Sequence, residues 1–360
     1  MKRNGSACFR SAVSVTLVVL LLTGLLSACG GQKPTAASSG AAPADPGSPA
    51  ETTEISGKLM IYTSAEDAFI SEVCAKFNAK YPGAQAEYYR SGTEEVVSKI
   101  LAEKMTNSVQ ADLVMVSDAA TFENLKDNGL LQPYESPELA NIYTEFVDPE
   151  HYYYGTFPAA MGIVYNTTLV SEAPESWFDL LEPEAKGNAV MPNPLYAGTA
   201  ANALLELTRV DSIGWEFYEG MLANDMMVVN GNGGVINSVA AGENAYGIAC
   251  DSNALSAAAS GSPLAFVYPK EGVPATADPI GVTSTTQNLP AAQAFVDFML
   301  SEEIQTLGRE LIGKAPIRKG LEVPEGSLTV EDRVNLISDA KDLFAVREDE
   351  KAKFAELFGF

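Results

Sequence analysis

Two short stretches of this sequence have the residue types of an anion cradle. Ser91-Gly92-Thr93 and Ala197-Gly198-Thr199-Ala200 each place small residues at the start of a segment with helical apolar spacing. A helix start leaves backbone N–H groups unpaired and carries a partial positive charge. Small residues let an oxyanion reach those groups, so a branched side chain at Gly198 is expected to fill the anion's place. Ordinary N-capping accounts equally for either turn taken alone. Five further residues stand at the ends of apolar runs: Ser64, Ser117, Asp251, Tyr268 and Glu271. The serines offer hydroxyls. An ionised Asp251 or Glu271 only accepts, which suits an ammonium or sugar hydroxyls; a solvated acid at a strand end reads the same way in sequence.

Groups for bond-breaking chemistry are scarce. There is one histidine, His151. A histidine-based metal site or a Ser-His-Asp triad therefore has almost no material. No Gly-x-Ser-x-Gly elbow occurs. The residues favour binding over catalysis, with no cofactor and no metal. A secreted hydrolase and a surface lipoprotein for adhesion or sensing are the alternatives from other classes.

The elements that hold these residues follow a simple rhythm. Lys58–Ser64 is an apolar run that ends in small polar residues. Phe69, Ile70, Val73, Cys74 and Phe77 then recur at helical spacing until Pro82-Gly83. Ala84–Arg90 reads as a second strand, Val96, Val97, Ile100 and Leu101 as a second helix, and Ala111–Ser117 as a third strand. Strand, helix, strand, helix, strand is the pattern of a parallel sheet covered by helices. The second half adds strands at Phe157–Val170, in NAVMPNP, in AYGIAC with a polar tip at Asp251-Ser252-Asn253, in LAFVYPKEG and in DPIGVTS. One long amphipathic helix is expected over LPAAQAFVDFMLSEEIQTLGREL. Functional groups of parallel sheets collect beyond the strands' C-terminal ends. Ser64, Ser91, Ser117, the Ala197–Ala200 turn and Asp251 all fall there.

The N-terminus is a separate matter. Lys2, Arg3 and Arg10 precede an apolar run, Ala12–Leu26, and then Leu26-Ser27-Ala28-Cys29-Gly30. This is a secretory signal. Its end resembles the lipobox of bacterial lipoproteins, in which cleavage leaves a lipid-bearing cysteine, here Cys29. The following stretch is rich in Gly, Pro, Ala and Ser and cannot bury enough apolar surface to order itself. Loss of residues 1–28 removes three bases and no acid, taking the formal charge from −24 to −27. Such a balance argues against nucleic acid and against a polybasic membrane surface. Cys74 and Cys250 are expected as buried free thiols.

Taken in order, KLMIYTSAEDAF, YRSGTEEVVSKILAEK, QADLVMVSDAATFENL, GIVYNTTLV, NPLYAGTAANAL, AAGENAYGIACDSNAL, FVYPKEGVP, DPIGV and AAQAFVDFMLSEEIQ resemble the extracellular solute-binding proteins of ABC importers. The branch is the one that holds ferric-ion, sugar-phosphate, aminoethylphosphonate and thiamine binders. The resemblance runs from Lys58 to Arg318. It implies an α/β, two-lobed, type II periplasmic-binding-protein-like clamp, with a mixed sheet in each lobe and hinge-crossing strands. On that basis residues 1–28 are the signal, 29–56 the lipidated cysteine and tether, 57–157 with 279–325 lobe 1, 158–278 lobe 2, and 326–360 C-terminal helices. It also implies that the small turn at Ala197–Ala200 contacts the ligand, as its equivalent holds an anion in the ferric binders.

The ferric binders' adjacent tyrosines map to Ser252 and Asn253, which are not phenols. HYYYGTF, His151–Phe157, is the other cluster that could offer phenolates; packing near the hinge is the plainer reading. The expected function is capture of a small organic anion, a phosphate or phosphonate ester with an amine or hydroxyl end. Ferric ion is the second ligand and thiamine or its phosphates the third. The expected partners are an ABC permease with its ATPase, and the membrane through Cys29, with the protein acting as a monomer outside the cytoplasm.

Overall fold

The computed structural model describes residues 54–360. The expected signal, Cys29 and most of the tether lie outside the described residues. Eleven strands occur among them: β1 Ser56–Thr63, β2 Gly83–Arg90, β3 Leu113–Met115, β4 Leu131–Gln132, β5 Tyr154–Asn166, β6 Ala189–Pro192, β7 Met227–Val229, β8 Tyr246–Cys250, β9 Leu264–Val267, β10 Val273–Thr283 and β11 Asn335–Leu336. The α-helices are α1 Asp67–Lys80, α2 Thr93–Met105, α3 Ala119–Asp127, α4 Gly198–Leu207, α5 Gly214–Ala223, α6 Gly231–Ala240, α7 Asp251–Ala259, α8 Leu289–Leu300, α9 Glu302–Ile312 and α10 Ala340–Phe358.

Hydrogen bonding runs through the strands in the order β2-β1-β3-β10-β5-β8-β6-β7. In the first half β2, β1 and β3 are parallel and β10 returns antiparallel. In the second half β8, β6 and β7 are parallel, and β5 runs antiparallel to β8 and β9. Strand β1 shows why its sequence is continuously apolar. Leu59 and Ile61 enter one core with Phe69, Val73 and Phe77 of α1, while Tyr62 enters another with Val96 and Ile100 of α2. A strand covered on both faces needs apolar residues at every position.

Strands β5 and β10 join the halves. The first part of β5 pairs with β10, from Tyr154↔Ile280 to Ala160↔Ala275, and the rest pairs with β8 and β9. Strand β10 in turn reaches β3 through Ile280–Val282. The register between β5 and β10 breaks between Ala277 and Pro279, where Asp278 is left out of the pairing. A proline in a central strand is tolerated beside such a bulge.

Three expectations change. Asp251-Ser252-Asn253 is not a polar tip but the first turn of α7. The single long helix is two, α8 and α9, because Ser301 leaves helical geometry (ψ 155°) and its hydroxyl donates to the Phe298 carbonyl at 2.6 Å. Ser301-Glu302-Glu303 was the available signal, a capping residue followed by an acidic first turn. The C-terminal segment is a short strand, β11, and one helix, α10, rather than several helices. Cys74 and Cys250 are both buried free thiols, and burial pushes each up to about 12.

Helix α10 packs on both halves. Phe354 is fully buried against Tyr218 within the core of the second half. About two turns earlier, Arg347 donates to Asp118 (2.9 Å) and Glu94 (2.8 Å) of the first half. Both Arg347 and Asp118 are nearly inaccessible to solvent. Replacing Arg347 by alanine strands a buried carboxylate, and breaking such a pair costs about 3–5 kcal/mol. The Arg347→Ala variant is expected to show a lower urea midpoint with unchanged slope. An unchanged midpoint means that the ion pair does not tie α10 to the body.

Candidate functional site

The ends of the strands in both halves face a common cleft that encloses about 310 Å³. From the first half come Ser64, Ala65 and Glu66 after β1, Arg90–Thr93 at the end of β2 and start of α2, and Ser117 after β3. From the second half come Tyr196–Thr199 before and within α4, Gly231 and Asn232 at the start of α6, and Cys250, Ser252 and Asn253 at the start of α7. Ala159 of β5, Asp278 of the β10 bulge and Lys314, two residues beyond α9, complete the wall.

Each half has its own polar network. In the first, Thr93 Oγ1 donates to Ser64 Oγ (3.2 Å), Ser64 Oγ lies 3.3 Å from Ser117 Oγ, and the Ser117 N–H points to Thr93 Oγ1 at 3.5 Å. In the second, Asn232 Nδ2 donates to Thr199 Oγ1 (3.0 Å), and its carbonyl accepts from the Cys250 N–H (3.0 Å). These bonds fix the loops and leave their helix starts open. No side-chain cap hydrogen bond closes the N-terminus of α2, α4, α6 or α7. Of the other α-helices, α3 is capped by Asp118 on the Thr121 N–H at 2.8 Å and α10 by Asp339, while α1, α5, α8 and α9 are uncapped as well. Four helix starts therefore converge on one cavity, and their partial positive charges add there, although at α7 Asp251 already takes the Ser252 N–H.

Side-chain charges modulate this field. Lys314 pairs with Asp278. Burial works against its charge, but Asp278 and Glu66 more than offset that and hold its pKa above the usual lysine value. It is therefore a cation in the folded protein. Glu66 is pushed up, chiefly by burial, with Lys314 opposing. Arg90 donates through Nε to the Ala65 carbonyl at 2.7 Å, which stretches its head along the first-half wall. Tyr196, half exposed, stands on the lip. The two halves already touch at Gly198: a Cβ there would lie 2.9 Å from the Ser117 carbonyl oxygen. The glycine is needed for approach of the opposite half, which differs from the expectation that a side chain would meet the anion.

Of the residues expected at the site, the cleft brings together Ser64, Ser91, Gly92, Thr93, Ser117, Ala197, Gly198 and Thr199. Ala200 faces an apolar pocket with Met161, Met191 and Phe354 instead. Three others are committed elsewhere. Asp251 accepts from the Ala160 N–H (3.2 Å), the Ser252 N–H (2.8 Å) and Arg333 (3.0 Å), buried among them. It is a buried ion-pair acid, with no lone pair directed to the cleft. Tyr268 donates to Asp251 at 3.2 Å and accepts from the Leu328 N–H. Glu271 accepts from Ser176 Oγ (2.6 Å) and the Trp177 N–H (3.3 Å). The aromatic cluster also lies away from the cleft. Tyr153 donates to Glu123 and Tyr154 to the Tyr134 carbonyl, and burial raises both phenols.

Sequence reading missed Glu66, Arg90, Tyr196, Asn232, Asp278 and Lys314. The first three lie within two residues of ones that it found. Asn232 sits in Asn230-Gly231-Asn232-Gly233-Gly234, a glycine-rich helix start whose lack of apolar spacing hid it. Asp278 and Lys314 have no local signal, since the bulge and the chain path after α9 bring them in.

Residues 109–329 match the family model described as bacterial extracellular solute-binding protein. An uncharacterised protein of Haemophilus influenzae is 26% identical over 262 residues, 70% of this chain and 75% of its own length. A probable ABC transporter periplasmic-binding protein of Sinorhizobium fredii is 24% identical over 255 residues, 66% of this chain and 69% of its own. The fold superposes on that of the periplasmic binding protein AfuA of Actinobacillus pleuropneumoniae, solved with fructose-6-phosphate. That match has a TM-score of 0.75 and 23% identity, and covers 84% of this chain and 99% of the other. Iron-bound HitA of Pseudomonas aeruginosa gives a TM-score of 0.73 at 20% identity, over 82% of this chain and 99% of that one. The shared architecture is the type II periplasmic-binding-protein fold. The family match, covering most of the chain, agrees with a cleft built of helix starts and hydroxyls: the chain belongs to the bacterial extracellular solute-binding proteins, and it is a solute-binding, not an enzymatic, component of an ABC importer.

Proposed function

We propose that the cleft takes a small organic anion that carries a phosphate or phosphonate group, and that the closed protein delivers it to a membrane permease driven by an ATPase. The observation that carries this reading is the convergence of four uncapped helix starts on one cavity. Backbone N–H groups and serine and threonine hydroxyls suit a tetrahedral oxyanion, and Lys314, paired with Asp278, adds a charged donor. Glu66 and Asp278 supply acceptors for an amine or hydroxyl at the ligand's other end. Ferric ion, the rival, needs several anionic oxygens, and Asp278 is already neutralised by Lys314. A cleft in a chain of net charge −24 is reached by an anion only if local dipoles outweigh the overall field, which is what these helix starts provide.

Isothermal titration against aminoethylphosphonate, a hexose phosphate, the free hexose and ferric citrate tests the reading. Phosphorylated or phosphonylated ligands are expected to bind, and the free hexose not. Lys314→Met is expected to weaken binding at least about tenfold, the loss of one charge-assisted contact. Tight ferric binding with a visible charge-transfer band, or equal affinity for the free hexose, would reverse the assignment.

Gly198→Ala probes closure. The added methyl collides with the Ser117 carbonyl, so the variant is expected to melt like the parent yet fail to reach this arrangement of the halves. With saturating ligand its X-ray scattering should give a larger radius of gyration than the parent. Identical radii would show that the halves can close around the methyl.

We further propose that Cys29 carries the lipid that holds the protein at the outer side of the membrane. Cys29→Ser is expected to abolish incorporation of labelled fatty acid and to release the protein or leave its signal uncut. Normal labelling of that variant would place the lipid elsewhere or nowhere.

A further inference from the structure

Ala277 and Pro279, the neighbours of Asp278 on β10, line a second cavity of about 350 Å³. It shares no lining residue with the cleft. Its walls come from α3, from α4, from β10, from the loop around Phe146–Glu150 and from the segment that leads into α10. Carboxylates dominate its polar lining: Glu123, Glu145, Asp148, Glu150, Glu206 and Asp339, of which Glu123, Asp148 and Glu206 are deeply buried. Glu123 of α3 is 2% exposed and Glu206 of α4 is 3% exposed. Neither has a salt-bridge partner among the described residues. Asp148, beside them, is neutralised by Lys126 at 3.0 Å, and Lys341 on the rim leans to Glu150 at 3.5 Å.

The hydrogen bonds leave acceptors over. Glu206 receives two from Ser338, on the N–H (2.8 Å) and the hydroxyl (2.6 Å). Glu123 receives one, from Tyr153 at 2.8 Å, and among the described residues its Oε2 accepts none. Asn202, also buried, donates weakly to the Ala275 carbonyl at 3.5 Å, and among the described residues its own carbonyl accepts nothing. These two oxygens open onto the cavity, where a donor would satisfy them. Burial pushes both Glu123 and Glu206 above the ordinary carboxylate range, with Tyr153, Lys126 and Lys341 opposing at Glu123 and Ser338 and Arg209 at Glu206.

We propose that this cavity is a second binding site, for a small alkylammonium cation such as a short diamine. The polar groups that face it are chiefly acceptors, so the occupant must donate. The remaining wall is apolar, with Phe146, Ala277, Pro279 and Leu343, which suits a hydrocarbon body. The acceptors are spread over two helices, and no group of three or more metal-type ligands converges among the described residues. That geometry suits an extended organic cation better than a compact metal ion. The occupant would touch α3, α4 and the hinge strand together. This site does not depend on what the cleft binds.

The test uses the full mature chain and putrescine as the probe, followed by calorimetry with nothing in the cleft. One saturable site per chain is expected. Glu123→Gln should weaken it at least about tenfold, as removal of one buried ionic hydrogen bond does. Ala340→Leu, which narrows the cavity from its outer wall without touching a charge, should weaken it as well and guards against misfolding of the first variant. Absence of saturable heat from the parent, or parent-like affinity in both variants, overturns the proposal. Displacement of putrescine by an equal concentration of magnesium would overturn the ligand class.

Discussion

Strands β5 and β10 hydrogen-bond to each other where they pass between the halves, and everything functional hangs from that crossing. Each strand belongs to both sheets: β5 continues into the pairing with β8 and β9, and β10 into the pairing with β3. In hinged two-lobed binding proteins a few residues between the lobes absorb the change on closure. The lobe boundaries expected from family resemblance fall within these two strands. The bulge at Asp278 interrupts the ladder at the crossing itself. It turns one carboxylate into the cleft and leaves its neighbours to line the cavity on the other side.

The cleft draws its character from backbone more than from side chains. Parallel strands deliver their helices' N-termini to one edge of each sheet, and two such edges face each other. The N-termini of α2, α4, α6 and α7 thus meet at one cavity without a cluster of bases. Close approach of the halves then selects small residues. Gly198 lies against the Ser117 carbonyl, and any Cβ there would hold the halves apart.

Helix α10 adds a constraint outside the sheet. Its aromatic end is set in the core of the second half and its arginine in a pair of acids of the first. One of those acids, Asp118, also caps α3 and follows Ser117 of the cleft wall. The position of Ser117 is thereby fixed by β3 on one side and by a buried ion pair on the other.

Much of this was legible in the sequence. The apolar run of β1, the spacing of Phe69–Phe77 and the small-residue turns are local patterns, and each gave its element and its helix start within a few residues. Ser64, Ser91 and Ser117 could be placed at the cleft because a parallel sheet always turns its strand ends one way. Residues whose role depends on a partner far along the chain could not be read. Asp251 looks like a free acid at a strand end until Arg333, eighty-two residues on, is folded over it. Glu271 looks like a ligand until Ser176 and Trp177 take both its oxygens. Lys314 and Asp278 carry no pattern, yet they set the charge at the cleft floor. Local sequence determines where a helix begins and which face is apolar, because those follow from steric and hydrophobic periodicity over a few residues. Which carboxylate is satisfied and which is left facing a cavity is decided only by tertiary structure, because hydrogen-bond partners and desolvation come from segments that the chain brings together last.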